Sequence, residues 1–101
     1  MVVNNFKDFS NVNIIKGKVP ETLSRIVSDK VCYISIDMNS VFPEIEAAKY
    51  LWPRLVKGGI IVLDDYGWRP HINQKIAWDA FAKENGFEIL PLPTGQGLIV
   101  K

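Results

Sequence analysis

Two short stretches do most to limit what this chain can fold into: Lys30 to Asp37 (KVCYISID) and Ile60 to Asp65 (IIVLDD), each an apolar, β-branched run that ends in carboxylates. Runs without polar alternation are the pattern of strands buried on both faces of a sheet. Between them Ile45, Ala48, Leu51, Trp52 and Leu55 recur at helical spacing. Pro53 is expected to kink the last turn of that helix, and Lys57-Gly58-Gly59 to close it as a C-cap. Strands joined by one crossover helix are expected to be parallel neighbours about 4.8 Å apart.

The flanks extend this alternation. Val12 to Lys16 reads as a short strand stopped by Gly17, and Val19 to Asp29 as a short helix with Pro20 in its first turn and Leu23, Ile26 and Val27 on one face. After the second apolar run, a helix is expected from about Pro70 to Asn85, with Ile72, Ile76, Ala77, Ala80 and Phe81 inward and Gly86 as its stop. The final stretch, FEILPLPTGQGLIVK, reads as two antiparallel strands joined by a Pro/Gly turn. The order is βαβαβαββ, an α/β fold with a mostly parallel sheet and a C-terminal antiparallel hairpin.

Composition narrows the class of function. Twelve basic against eleven acidic residues offer no basic stripe for nucleic acid and no acidic tail for a cationic partner. The 101 residues make a single domain, with no repeat or low-complexity linker. No apolar stretch approaches the roughly 20 residues of a membrane span, and the first residues lack the pattern of a signal peptide. The single cysteine, Cys32, reads as a small buried hydrophobe and forms no internal disulfide. A cytoplasmic, soluble protein is the expectation.

Ligands of open α/β sheets bind outside the carboxyl ends of the strands, where Asp37, Asp64 and Asp65 are expected. Successive strand residues point to opposite faces, so Asp64 and Asp65 converge only if the chain turns there; Asp65-Tyr66-Gly67-Trp68 supplies turn residues. Three carboxylates at one point call for a hard divalent cation such as Mg²⁺, Mn²⁺ or Ca²⁺. The alternative is that Asp64 caps the following turn while Asp65 is solvated.

From about Asn11 to Lys101 the chain resembles the C-terminal half of class I S-adenosylmethionine-dependent methyltransferases, particularly the macrocin O-methyltransferase family. The resemblance lies in NVNIIKGKVPETL, YISIDMNS, WPRLVKGGIIVLDDYGW and LPLPTGQGLIVK, four segments in family order and spacing. It implies a truncated Rossmann-like fold and methyl transfer from S-adenosylmethionine to a hydroxyl of a small molecule. It also implies a magnesium site at Asp37, Asp64 and Asp65, which would also be the catalytic residues. Gly17, Lys18 and Val19 match the segment that approaches the adenine of the cofactor, and Asp37 would serve that site too. Asn39 stands where the family carries a carboxylate, and no Gly-rich GxGxG loop occurs in the 101 residues. The half of the fold that such a loop opens is therefore expected to be missing, at the N-terminal side.

Without those strands, consecutive right-handed crossovers would collect the helices on one face of the sheet and leave the other bare. A bare apolar face is an interface or an aggregation liability, so a homodimer through that face is expected. Other residues carry open readings. His71 is either a general base or an exposed helix-start residue; Tyr66 and Trp68 either wall an acceptor pocket or pack over the strand ends. Trp52 and Trp78 read as core or interface, Lys49, Arg54 and Lys57 as a solvated helix face, and Arg69 as a contact for an anionic acceptor. A non-catalytic binding or oligomerisation module of the same fold is the alternative function. A phosphoacceptor receiver domain would also gather acids at strand ends, but there the acidic pair follows the first strand, whereas here it comes late.

Overall fold

A computed structural model describes residues 8–101. Its regular elements are β1 (Val31–Ile36), α1 (Val41–Leu51), β2 (Leu55–Leu63), α2 (Ile72–Asn85), β3 (Leu90–Pro91) and β4 (Gly97–Val100), with single 3-10 turns at Leu23–Arg25, Trp52–Arg54 and Arg69–His71. The sheet has four strands in the order β1-β2-β4-β3. β1 and β2 are parallel, while β4 is antiparallel to both β2 and β3.

The expected parallel pair and C-terminal hairpin are both present, but the sheet is mixed rather than mostly parallel. One of its three pairings is parallel. Residues 12–16 form no strand: they pair with no neighbour, and the sheet ends at β1. The expected helix over Val19 to Asp29 shrinks to the turn Leu23–Arg25. So short a segment cannot repay helix nucleation from propensity alone; Leu23 packs inward while Val27 is 92% exposed.

Two further expectations fail at glycine and at tryptophan. Lys57-Gly58-Gly59 is not a helix cap but part of β2. Pro53 ends the helix early in a 3-10 turn, and the ladder jumps from Val31–Leu55 to Tyr33–Ile60, so several β2 residues bulge out. Gly58 takes φ +84° there, a backbone that side chains resist. Lys57 is accordingly an exposed strand residue, while Lys49 and Arg54 do lie on the α1 side, Lys49 in an ion pair with Glu46 at 3.2 Å and Arg54 stacked 3.7 Å over the Tyr50 ring.

On α2 the buried stripe is Gln74, Trp78, Phe81 and Ala82, not the expected Ile72, Ile76, Ala77 and Ala80. Ile72 and Ile76 are half exposed or more. Trp78 decides this rotation: its side chain is the largest one fully buried, and its indole N–H needs an acceptor, which it finds on α1.

One core joins every regular element but β3: Ile34 and Ile36 of β1, Ile61 and Leu63 of β2, Ile99 of β4, Ala48 of α1, and Trp78 and Phe81 of α2. Each buried isoleucine, leucine or phenylalanine among them contributes about 1.5–3 kcal/mol. Trp52 is half-buried and stacks on Phe87 at 4.3 Å, so both tryptophans belong to the core or its margin. The helices thus pack on one face of the sheet. The opposite face carries register rows Tyr33–Ile60–Val100 and Ser35–Val62–Leu98–Leu90. Tyr33, Val100 and Leu90 are each more than half exposed, and Cys32 is exposed rather than buried. Burial of β1 on both faces was therefore the wrong expectation, since no element among the described residues covers that side.

Candidate metal centre

Asp37 is the first residue after β1, and Asp64 the first after β2. The last ladder pair is Ile36–Leu63, and the Asp64 N–H donates to the Ile36 carbonyl at 3.0 Å, which carries the parallel register one residue further. Asp37 and Asp64 therefore leave adjacent strands side by side. Asp65 joins them because the chain turns: the Trp68 N–H donates to the Asp65 carbonyl at 3.1 Å, and the Gly67 N–H to the Gly95 carbonyl at 2.7 Å. The latter bond ties the turn to the β3–β4 loop.

One carboxylate oxygen from each of Asp37, Asp64 and Asp65 lies within 4.8 Å of the others. Asp37 and Asp64 are exposed and Asp65 is half-buried. Asp65 Oδ2 is shut off from solvent and has no hydrogen-bond partner. A buried carboxylate oxygen left unpaired is costly, and a cation is the partner that suits it. Adjacent oxygens on one octahedral Mg²⁺ stand about 3 Å apart, so the three carboxylates would close in further to share one ion. Oxygen-only donors suit such hard cations, and the set fits the group. Among the described residues, no lysine or arginine forms an ion pair with any of the three. Among the described residues, one side-chain amide touches the set: Gln96 Nε2 donates to Asp64 Oδ1 at 3.2 Å, oriented by the Thr94 hydroxyl, which donates to Gln96 Oε1 at 3.0 Å.

Tyr66 settles its two readings in favour of packing. It is buried against Gly97, and its hydroxyl donates to Asp79 Oδ1 on α2. Lys75 Nζ donates to the other oxygen of Asp79 at 2.8 Å. Burial and then the hydrogen bond to Asp79 raise the Tyr66 hydroxyl above its ordinary pKa. Burial alone would raise the Asp79 carboxyl too, but the Lys75 and Tyr66 hydrogen bonds outweigh it and hold the group low. Trp68 remains exposed beside the turn, as does Arg69 in the following 3-10 turn, and His71 is half-buried at the start of α2.

Gly17, Lys18 and Val19 lie in the irregular segment before the first 3-10 turn. The Lys18 carbonyl accepts from the Thr22 N–H at 3.0 Å and the Thr22 hydroxyl at 2.8 Å. Among the described residues, no hydrogen bond joins this loop to the acidic rim. Clefts of about 680 Å³ beside Trp52 and Phe87 and about 500 Å³ between α1 and α2 contain none of the three aspartates; Asp37 and Asp64 are exposed at the rim.

Sequence reading passed over two residues beside this rim. Gln96 gave no pattern to notice. Glu44 is a buried carboxylate at 5% exposure, bonded to Met38, Gln74 and Trp78. Its signal was available in the i, i+4 spacing of Gln74 and Trp78, two N–H donors on one helix stripe that must share a buried acceptor.

A family model described as Macrocin-O-methyltransferase (TylF) matches residues 1–92. No curated protein matches. Two solved structures share the fold. The O-methyltransferase NovP aligns with TM-score 0.81 and 19% identity, over 99% of this chain and 43% of its own. Apo CalS11, a TDP-rhamnose 3'-O-methyltransferase in calicheamicin biosynthesis, aligns with TM-score 0.72 and 18% identity, over 85% of this chain and 39% of its own. The chain thus spans well under half the length of either neighbour.

Proposed function

The chain belongs to the macrocin O-methyltransferase family, and from that premise we propose that it carries the metal-binding, acceptor-orienting rim of an S-adenosylmethionine-dependent O-methyltransferase acting on a hydroxyl of a small molecule. The observation that carries this reading is the convergence of three carboxylates, one with a buried, unpaired oxygen, at the carboxyl ends of the parallel pair. Asp37, Asp64 and Asp65 would hold the cation. When bound, a divalent cation supplies Lewis acidity, which acidifies a hydroxyl held against it and fixes that hydroxyl's direction toward a methyl donor.

The protein's own part is alignment and charge. The stiff strand ends keep two of the carboxylates in register, and the Gly67–Gly95 bond holds the turn that brings the third. Displacement at carbon needs this alignment more than covalent help. Exposed Trp68 and Arg69 flank the turn, where they would meet the acceptor. Gly17, Lys18 and Val19 are retained as a proposed cofactor contact on the resemblance alone. With no Gly-rich loop in its 101 residues, methyl transfer by this chain alone is proposed to be impaired.

A second reading, a non-catalytic module that works by self-association, is favoured by the uncovered face bearing Tyr33, Ile60, Val62, Leu98 and Val100. β1 also ends the sheet with an edge that no strand among the described residues covers, and an apolar face suits a second copy across a two-fold axis. The cytoplasm is the proposed setting. No helix among the described residues is long and apolar enough to cross a membrane.

Calorimetric titration tests the first reading. Saturable heat with MgCl₂, abolished in Asp64→Asn/Asp65→Asn, is the expected result. Absence of Mg²⁺ binding by the wild-type chain overturns the metal centre. S-adenosylmethionine binding at micromolar affinity supports the enzyme; metal binding without it supports the module.

A further inference from the structure

We propose that Glu44 is a positioning residue for the acidic rim: its buried carboxylate grips the backbone beside Asp37 and refers that residue's place to α2. The role assigned to the rim rests on the cation site proposed above; the grip itself does not. Glu44 lies in the first turn of α1 at 5% exposure. Its Oε2 accepts the Met38 N–H at 3.2 Å and Gln74 Nε2 at 3.2 Å, and its Oε1 accepts the Trp78 indole N–H at 3.0 Å. Three neutral donors surround it, and among the described residues it forms no ion pair.

A buried carboxylate is an expensive way to fill a core, because apolar residues of similar volume serve stability as well or better. What an apolar residue cannot do is accept a hydrogen bond from the main chain. The donor here is Met38, the residue after Asp37, followed by Asn39 in the left-handed region at φ +54°. On the other side of Asp37, the Ile36 carbonyl is held by the Asp64 N–H. Asp37 therefore stands between two fixed peptide groups, one set by the sheet and one by Glu44.

The same helix governs the other arm of the rim. Gln74 and Trp78 of α2 hold Glu44, and Asp79, next in sequence, receives the hydroxyl of Tyr66, the neighbour of Asp65. Asp37 and Asp65 are thereby referred to one rigid element. Partners that orient metal ligands in this way commonly change metal affinity when removed.

The test replaces the whole network by apolar side chains, Glu44→Met/Gln74→Leu/Trp78→Phe, alongside Glu44→Met and, as a core control outside the network, Ile99→Val singly. Magnesium affinity is read by calorimetry, and amide hydrogen exchange at Met38 by NMR in metal-free protein. The triple variant, which satisfies its own core, is expected to stay folded yet bind Mg²⁺ about 10- to 100-fold more weakly and lose protection at Met38. Folded Glu44→Met behaves likewise. Ile99→Val, a core truncation outside the Glu44 network, keeps wild-type affinity and protection even where its melting temperature falls. Wild-type affinity and protection in the triple variant overturn the proposal, and so does an equal loss in Ile99→Val, which would mark a general effect of destabilisation. If the wild-type chain binds no Mg²⁺ while Met38 protection still depends on Glu44, the grip on the loop stands and the metal reading falls.

Discussion

Tyr66 stands one residue past Asp65 and points the other way, into the core, where its ring covers Gly97 and its hydroxyl meets Asp79. That inward anchor lets its neighbour face the rim. Tyr66→Phe removes the hydroxyl and is expected to cost about 1 kcal/mol in denaturant unfolding, within the range for a hydrogen bond to a charged group discounted for partial exposure. The pH dependence follows from the directions of the shifts. Asp79 is held below its ordinary pKa, so its contribution is complete above the unfolded value of 3.8 and fades as pH falls through the lower folded value. Lys75 is raised above 10.5, chiefly by its hydrogen bond to Asp79, so its share is present below that value and fades as pH rises through the folded one. Asp79→Asn should therefore flatten the acid limb of the stability profile. An unchanged acid limb would show that the Tyr66–Asp79–Lys75 group contributes nothing there.

At the scale of elements, α2 shows how periodicity misleads. Ile72, Ile76, Ala77 and Ala80 made a plausible apolar stripe, yet the helix is rotated so that Gln74, Trp78, Phe81 and Ala82 face inward. A polar side chain on the buried stripe is tolerated because Glu44 receives it. Ile76→Lys, on the exposed stripe, is expected to change stability by no more than about 0.5 kcal/mol. The hairpin offers the opposite case. A Cβ at Gly97 would stand 2.8 Å from Tyr66 Cγ, closer than van der Waals contact. Gly97→Ala is expected to cost about 1–3 kcal/mol through forced repacking. Thermal melts of the two variants check both statements, and equal melting temperatures would refute them.

For the whole molecule, the two helices lie on one face of a four-stranded sheet whose other face exposes Tyr33, Leu90 and Val100 and whose β1 edge no strand among the described residues covers. That distribution supports the proposed two-fold dimer, in which a second copy covers the apolar rows. Sedimentation velocity at micromolar concentration should show a dimer, and Val100→Lys with Tyr33→Lys should shift it to monomer, since buried unpaired like charges oppose the contact. A wild-type monomer would remove the proposal.

The parallel pair, the crossover helix, the C-terminal hairpin and the gathering of Asp37, Asp64 and Asp65 were legible in the residues themselves. Apolar runs, acids at their ends and glycine-bearing turns act over a few neighbours, so their consequences can be read in order along the chain. The tertiary structure alone decided what depends on distant partners. Residues 12–16 stay unpaired beside a sheet that ends at β1, α2 took its rotation from an acceptor on α1, and Tyr33 is exposed because no layer among the described residues covers its face. Burial, strand pairing and the satisfaction of buried hydrogen bonds are properties of who stands opposite, and no local pattern names that partner.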